Sequence, residues 1–179
     1  MEIEVDEWTT IMDIKESDAA NIFAIIERNR KYLRQFLGWI DFSNCVEDIQ
    51  DFIAASQKMA ELNNGGNYLI RYRGEIAGMV SFNQIDWINH RTSIGYWLVK
   101  HAQGKGIMTS SVHALIEYAF NVLGLNRVEI RCATVNRRSQ AIAIRLGFKW
   151  EGRIREAEWL SDRYVDHHVY GLLKREWNR

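Results

Sequence analysis

The chain has 179 residues, of which 47% are apolar, and its 23 basic and 23 acidic side chains give a formal net charge of zero. This length predicts one domain spanning residues 1–179, the composition excludes a disordered chain, and the charge balance argues against a general nucleic-acid binder. Two cysteines are too few for a disulfide framework or a Cys-based zinc site, and the first 30 residues resemble neither a signal peptide nor a membrane span. We therefore expect a cytoplasmic protein without a membrane partner.

Short strands and two amphipathic helices are predicted in the first half of the chain. Residues 8–14 predict a strand, and Ser17 is a candidate N-cap for a helix whose apolar stripe includes Ile22 and Ile26. A second helix, around residues 49–60, ends at the Asn-Asn-Gly-Gly of residues 63–66. Residues 68–72 and 76–82 predict a hairpin, and residues 91–98 a further strand. Since no helix-length segment separates these three strands, they predict an antiparallel meander.

The second half of the chain predicts a parallel crossover followed by two more strands. Apolar residues recur at helical spacing over residues 108–123, and residues 127–132 alternate between polar and apolar. A strand, a helix and a strand in this order imply a right-handed crossover. A short helix over residues 139–146 ends at Gly147, and strands follow over residues 148–159 and 164–173. The pattern therefore predicts an α/β domain with a mixed sheet.

Residues 94–109 carry the strongest functional signal, because a strand leads through a glycine-containing loop into an amphipathic helix. Unpaired amides at a helix start bind phosphate, and Gly104 and Gly106 allow the backbone to approach a ligand. A Walker loop is excluded because Lys105 is followed by glycine, and a dinucleotide fingerprint because a third glycine is missing. On the loop alone, an ordinary glycine turn remains the alternative.

The loop resembles the Gln/Arg-x-x-Gly-x-Gly/Ala pyrophosphate loop of the GNAT acetyltransferase superfamily. Gln103 and Gly106 match this pattern, whereas Met108 stands where glycine or alanine is usual. Residues 136–139, Asn-Arg-Arg-Ser, and residues 145–148, Arg-Leu-Gly-Phe, resemble the superfamily's second cofactor motif. Residues 94–98, 103–108, 125–127 and 170–177 are similar to the ribosomal-protein N-acetyltransferase branch. The resemblance implies a GNAT-like mixed, mostly antiparallel twisted sheet of about seven strands flanked by about four helices.

By this resemblance, the chain transfers the acetyl group of acetyl-CoA directly to a primary amine, with no acyl-enzyme. The implied acceptor is the N-terminal amine of a ribosomal protein, and no metal is implied. The acetyl-CoA site implied by the matching motifs comprises Tyr96, Trp97, Leu98, Gln103, Gly104, Lys105, Gly106, Ile107, Met108, Thr109, Asn136 and Arg138. The resemblance also implies a β-bulge along residues 96–98, with a backbone N–H there polarising the thioester carbonyl.

Two catalytic residues are implied by position. Glu158 matches a carboxylate that takes the proton of the amine, and Ser139 matches a hydroxyl that protonates the CoA thiolate. Glu156 has the same strand parity as Glu158 and stays an alternative base. Surface ion pairs with Arg153 or Arg163 would be a purely structural role for both carboxylates, and an N-cap would be one for Ser139.

The remaining residues leave several alternatives open. Residues 1–62 carry 6 basic and 13 acidic side chains, so this acidic segment suits a cationic acceptor. Residues 127–179 carry 12 basic and 7 acidic side chains, so this basic segment suits an anionic cofactor. A small-molecule amine (polyamine, amino acid or antibiotic) or a non-catalytic CoA- or RNA-binding module stays an alternative, although no direct nucleic-acid function is expected. A homodimer also stays open.

Trp39 and Trp159 are candidates to line an acceptor groove. His167 and His168 point to opposite faces of a strand, so they are not expected to bind one metal.

Overall fold

Eight strands form one sheet in this computed structural model, which describes residues 1–177. The strands are β1 (Glu2–Glu4), β2 (Thr9–Asp13), β3 (Gly66–Tyr72), β4 (Glu75–Asp86), β5 (Arg91–Leu98), β6 (Arg127–Ala133), β7 (Lys149–Leu160) and β8 (Arg163–Leu173). The α-helices are α1 (Ala19–Leu33), α2 (Val46–Glu61), α3 (Ile107–Glu117) and α4 (Arg137–Arg145). Short 3-10 turns lie at Glu16–Asp18, Gly38–Phe42, Lys100–Ala102 and Lys174–Glu176, and a π-helical turn, Tyr118–Val122, extends α3. None of the helices in residues 1–177 is long and apolar enough to cross a membrane.

The strand order is β1-β2-β3-β4-β5-β6-β8-β7, and every neighbouring pair is antiparallel except β5 and β6. The predicted mixed, mostly antiparallel sheet with four helices is therefore confirmed. The sheet has eight strands where about seven were expected, and the additional strand is β1, which precedes the first predicted strand. A three-residue strand carries too little periodicity to be found from sequence; here Ile3 pairs with Ile11 of β2.

The start of the first helix also differs from the prediction. Ser17 lies in the 3-10 turn before α1 and makes no capping hydrogen bond. Instead, the Asp18 carboxylate accepts from the Lys15 backbone N–H at 3.0 Å. This contact closes the 3-10 turn, and α1 itself has no side-chain cap at its N-terminus, so the expected capping role of Ser17 is wrong.

Helices cover both faces of the sheet around β5. Alternate side chains of a strand point to opposite faces, and Asn67, Ser81 and Gly95 lie in register across β3, β4 and β5 on the face opposite to Tyr96. The backbone and side-chain N–H groups of Asn67 donate to Ser56 of α2, whereas the Tyr96 hydroxyl contacts α4. The α2 helix and the α4 helix therefore pack on opposite sides of the sheet.

The parallel pair β5–β6 opens after three residues. Its register runs from Arg91 opposite Arg127 to Ser93 opposite Glu129 and then stops. Beyond that point β5 stays paired with β4 up to Leu98, and β6 stays paired with β8 up to Ala133. The sheet therefore splits at this place. Within the described chain, no strand pairs with the facing edges of residues 94–98 and 130–133.

Candidate active site

A cavity of about 1650 Å³ occupies the split between β5 and β6. Its lining comes from four parts of the chain: the loop before α3, one side of α4, the α1–α2 connection and the β7–β8 pair. Most of the sequence-predicted site residues thus line one space.

The loop before α3 is built to leave backbone amides free. Gly104 and Gly106 have left-handed φ angles of +78° and +83°, and a Cβ on either would meet no atom within 4 Å. Glycine is thus needed here for backbone conformation and for open access rather than for packing. The N–H of Ser110 makes the first helical bond, to the Gly106 carbonyl at 3.0 Å. The amides that precede it, those of Ile107–Thr109, have no helical acceptor and can bind phosphate.

Gln103 anchors this loop to three elements. Its side-chain Nε2 donates to the Leu98 carbonyl at 3.3 Å and to the Tyr32 hydroxyl, and its Oε1 accepts from Arg138. The predicted residues Gln103 and Arg138 are therefore brought together, and the glutamine orients the loop against β5, α1 and α4. Met108, the departure from the usual motif, is 7% exposed, so its side chain packs into the core.

Of the two predicted cations, Arg138 lies at the loop and in the cavity lining, whereas Lys105 points elsewhere. The Lys105 ammonium lies 5.4 Å from the centroid of the Tyr72 ring, and its side chain does not line the cavity. Arg145 donates to the Thr109 hydroxyl at 2.9 Å and does line it. This role of Arg145 was not predicted, although Arg138 and Arg145 are seven residues apart and therefore share a helix face.

Ser139 is not the N-cap of its helix, contrary to the structural alternative. The cap is Asn136, whose side-chain Oδ1 accepts from the Ser139 backbone N–H at 3.2 Å. The Ser139 hydroxyl is thereby free for another contact and lies 2.8 Å from the Tyr96 hydroxyl. Burial raises the pKa of Tyr96, so its hydroxyl stays protonated and can donate to Ser139. In that arrangement the serine proton can be donated into the cavity.

The bulge expected along residues 96–98 is absent from β5. Val80, Met79 and Gly78 of β4 pair in regular register with residues 96, 97 and 98, and the irregularity lies in β4 between Phe82 and Ile85. The expected bulge is therefore wrong. It is also unnecessary, because the divergence of β6 already leaves this edge of β5 without a strand partner.

Glu158 reaches the cavity, where its carboxylate meets His167. The His167 Nε2 lies 2.9 Å from Glu158 Oε2, and the two side chains are 17% and 33% exposed. The other carboxylate oxygen, Oε1, lies 3.5 Å from where a Cβ on Gly38 would stand. This contact of His167 was not predicted, because the histidine pair was considered only as a metal site. The neighbouring His168 Nδ1 accepts instead from the Trp150 indole at 3.0 Å.

Glu156 does not share a face with Glu158, because β7 is irregular between them. Ile154 pairs with His167 and Glu158 with Val165, so β7 has two extra residues over this stretch. Glu156 lies within it, with a left-handed φ of +49° and an exposed side chain that does not line the cavity. The parity expected for a regular strand is therefore wrong here.

The expected ion pairs of these carboxylates are also not formed. In residues 1–177, Arg153 pairs with Asp166 at 2.7 Å, and neither it nor Arg163 pairs with Glu156 or Glu158. Purely electrostatic surface pairing thus does not account for Glu158.

Aromatic side chains line the end of the cavity near Glu158. The Trp39 ring is parallel to the Phe52 ring, with an interplanar angle of 1° and centroids 6.4 Å apart, and it also contacts Trp97. The predicted lining role of Trp39 is thus met. Trp159 packs instead against Tyr164 with centroids 4.9 Å apart and does not line the cavity.

A polar floor, formed by Ser81, Asn83 and Ser93, lies on the α2 side of the sheet. The Asn83 side chain donates to the Ser93 hydroxyl at 3.0 Å and accepts from the Ser81 hydroxyl at 3.0 Å. A Cβ on Gly95 would lie 2.8 Å from both Ser81 Oγ and Asn83 Oδ1, so only glycine leaves room for this arrangement. All three side chains line the cavity.

Carboxylates neutralise part of the basic C-terminal segment. Arg127 bonds Glu151 and Glu129, and Arg131 bonds Glu129 at 2.7 Å. The hydrogen bonds to Arg127 lower the pKa of Glu151, which keeps it ionised. These arginines are therefore less available to RNA phosphates than the charge count suggests.

Comparison with known proteins places the chain among acetyltransferases. The family model described as an acetyltransferase (GNAT) domain matches residues 9–149. The putative ribosomal N-acetyltransferase YdaF of Bacillus subtilis (strain 168) is 35% identical over 97% of this chain and 95% of its own length. The ribosomal-protein-serine acetyltransferase of Escherichia coli (strain K12) is 31% identical over 96% of each chain.

Two solved structures are similar over nearly the whole chain. One is RimL, a ribosomal L7/L12 alpha-N-protein acetyltransferase in complex with coenzyme A, which is joined to a cysteine by a disulfide. It gives a TM-score of 0.93 at 30% sequence identity, and the match covers 97% of this chain and 98% of the RimL chain. The microcin C7 self immunity acetyltransferase MccE, in complex with acetyl-CoA and AMP, gives a TM-score of 0.91 at 32% identity, with 96% and 95% coverage.

Thiol labelling tests whether acetyl-CoA binds in this cavity. Cys132 lines the cavity, and burial raises the pKa of its thiol, so its alkylation by iodoacetamide should be slow near neutral pH and faster as the pH rises. Acetyl-CoA, whose sulfur is acylated and does not consume iodoacetamide, should slow that alkylation about tenfold at about ten times its Kd, because only the free protein reacts. Peptide mass spectrometry measures the rate at each cysteine. Cys45 lies outside the cavity lining and is the internal control, whose rate should not change. Equal protection of both cysteines, or of neither, would contradict this site.

Proposed function

Since the chain belongs to the GNAT acetyltransferase family, and is therefore an acetyl-CoA-dependent N-acetyltransferase, we propose that its acceptor is the N-terminal amine of a ribosomal protein and that the reaction takes place in the cytoplasm. One observation carries the proposal: Glu158 and Ser139 approach a single cavity from different elements, beside a loop of free amides. The acetylation of ribosomal proteins by RimL and by the Escherichia coli relative supports the acceptor.

The loop end of the cavity suits the cofactor. Acetyl-CoA supplies an activated acetyl group as a thioester. The free amides of Ile107–Thr109, with Arg138 and Arg145 beside them, match its phosphates in charge and geometry. The unpaired edge of β5 matches the amide-rich pantetheine arm, which can pair with it as an added strand.

Ser139 is proposed as the acid. Attack by the amine breaks the carbon–sulfur bond, so the departing thiolate must be solvated or protonated. The Ser139 hydroxyl can donate its proton to that sulfur while it accepts from Tyr96, whose own proton is retained.

Glu158 is proposed as the base. The acceptor arrives as an ammonium ion and must lose a proton before it attacks, and Glu158 can accept that proton directly or through one water. An α-amine has an ordinary pKa of about 7.7–8.0, against about 10.4 for lysine, so deprotonating the α-amine at pH 7 costs roughly 3.5 kcal/mol less. A base of ordinary strength therefore suits an N-terminal amine better than a lysine side chain.

The polar floor supports a peptide acceptor. Ser93 has a hydroxyl proton, and Asn83 a second amide N–H, that make no hydrogen bond to residues 1–177. Peptide carbonyls following the reactive amine could accept these protons. An N-terminal segment in extended conformation would satisfy them, whereas a simple polyamine would not.

A second candidate acceptor is an amine that carries a nucleotide. The observation in its favour is the parallel pair Trp39–Phe52, whose partly exposed rings line the cavity and offer flat aromatic faces on which a base can stack. MccE, which contains AMP as well as acetyl-CoA, supports this candidate.

Substitution of the base should separate chemistry from binding. Glu158→Gln should lower kcat by roughly 10²–10⁴-fold, the usual contribution of a general base, with the Kd for acetyl-CoA nearly unchanged. Steady-state kinetics and isothermal calorimetry measure the two quantities. Glu156→Gln is the matched control, and it should leave kcat within about twofold, because this side chain is exposed and outside the cavity. The assignment fails if the two variants turn over equally fast.

Ser139→Ala should reduce kcat by roughly tenfold, less than the loss at Glu158, because water can partly replace a weak acid. The helix cap should survive, since Asn136 supplies it, and thermal unfolding checks this. Full activity in Ser139→Ala would remove the serine from the chemistry.

Intact-mass spectrometry should identify the acceptor. Purified ribosomal proteins incubated with acetyl-CoA and the enzyme should include one that gains a single acetyl group at its N-terminus, and Glu158→Gln should abolish the gain. A panel of polyamines, amino acids and aminoacylated nucleotides is run in parallel. Turnover of one of these, with every protein mass unchanged, would replace the peptide acceptor by a small amine.

A further inference from the structure

We propose that His167 is a positioning residue for acetyl transfer, whose imidazole Nε2–H holds one oxygen of Glu158 and leaves the other free for the acceptor amine. This inference rests on the proposed function, because it assigns a partner to the base of that reaction. His167 lies outside residues 9–149, the part of the chain that the family model matches.

The backbone brings the two residues together by an irregularity in β7. His167 lies on β8, opposite Ala133 of β6 on one side and Ile154 of β7 on the other. In regular pairing Glu158 would lie opposite Arg163. The two extra residues of β7 place it opposite Val165 instead, two residues from His167, so that the two side chains can meet. Both side chains line the cavity.

The contact has the features of a held carboxylate. The Nε2–Oε2 distance of 2.9 Å is that of a good hydrogen bond, and it is the one side-chain hydrogen bond of Glu158 to residues 1–177. The histidine Nδ1 makes no hydrogen bond to the same residues. The orientation of the carboxylate therefore depends on this single imidazole.

The chemistry of the two groups determines which one donates the hydrogen bond. An ionised carboxylate can only accept hydrogen bonds, so His167 must carry a proton on Nε2. When the acceptor ammonium gives its proton to the free oxygen of Glu158, the amine becomes neutral and the glutamate becomes a carboxylic acid. His167 keeps its own proton throughout, and the glutamate returns its proton to solvent after release of the product.

Two variants of similar polarity separate this role from its alternatives. His167→Gln can place an amide N–H where the Nε2–H stood, whereas the shorter Asn of His167→Asn cannot reach that point. We expect His167→Asn to lower kcat about tenfold and His167→Gln to stay within about threefold of the native enzyme. The KM for acetyl-CoA should be unchanged in both, because the loop end of the cavity is not altered.

A double-variant cycle tests whether His167 acts through Glu158. In the Glu158→Gln background, His167→Asn should cost less than about twofold, since the carboxylate that it positions is gone. A full tenfold cost in that background would show an independent structural role and overturn the proposal. Equal losses in His167→Gln and His167→Asn would overturn it too, because they would make His167 itself the group that transfers the proton.

NMR gives a readout that does not depend on turnover. Long-range ¹H–¹⁵N correlation spectra of ¹⁵N-histidine-labelled protein should show a proton on Nε2 of His167, and an Nε2 without a proton would refute the contact. The wild-type assay distinguishes the two failures. If no acceptor is turned over while the Nε2–H form is observed, the proposed function fails and the positioning contact stands.

Discussion

The site depends on the short parallel pairing between β5 and β6. A parallel pair requires a crossover, and here α3 supplies it, so the start of a helix must lie just beyond the end of β5. Because pairing stops after Ser93 and Glu129, the edges beyond it remain open at the same end of the sheet. One topological feature thus creates both a row of free amides and the cavity beside them.

The split also separates charges that are balanced over the whole chain. The loop before α3 contributes the helix N-terminus, with about half a positive charge, and Arg138 and Arg145 lie beside it. The Glu158 carboxylate enters the same cavity from β7. An anionic cofactor and a cationic amine are therefore attracted to different parts of one cavity lining, so the thioester and the amine can meet within it. A net charge of zero is compatible with this polarity, because other basic residues, such as Arg127, are neutralised locally by carboxylates.

Features that rest on local sequence could be predicted, and those that rest on long-range pairing could not. The loop before α3, the meander of β3–β5 and the helix periods each depend on neighbouring residues, so the amino-acid pattern was sufficient. Asn136 replaced Ser139 as the helix cap because the helix begins two residues earlier than the pattern indicated. Arg145 and His167 acquire their roles only when α4 meets the loop and β7 meets β8.

The difference between Glu156 and Glu158 shows how far a single irregularity can decide chemistry. A left-handed φ costs a residue other than glycine about 1 kcal/mol or more, so Glu156 needs compensation. Asp166 provides it: its carboxylate accepts from the Glu156 backbone N–H at 2.8 Å and pairs with Arg153 at 2.7 Å. This contact stabilises the two-residue insertion in β7, which in turn brings Glu158 over His167. The proposed base is thus placed by an aspartate that does not line the cavity, and no reading of strand parity could have found it.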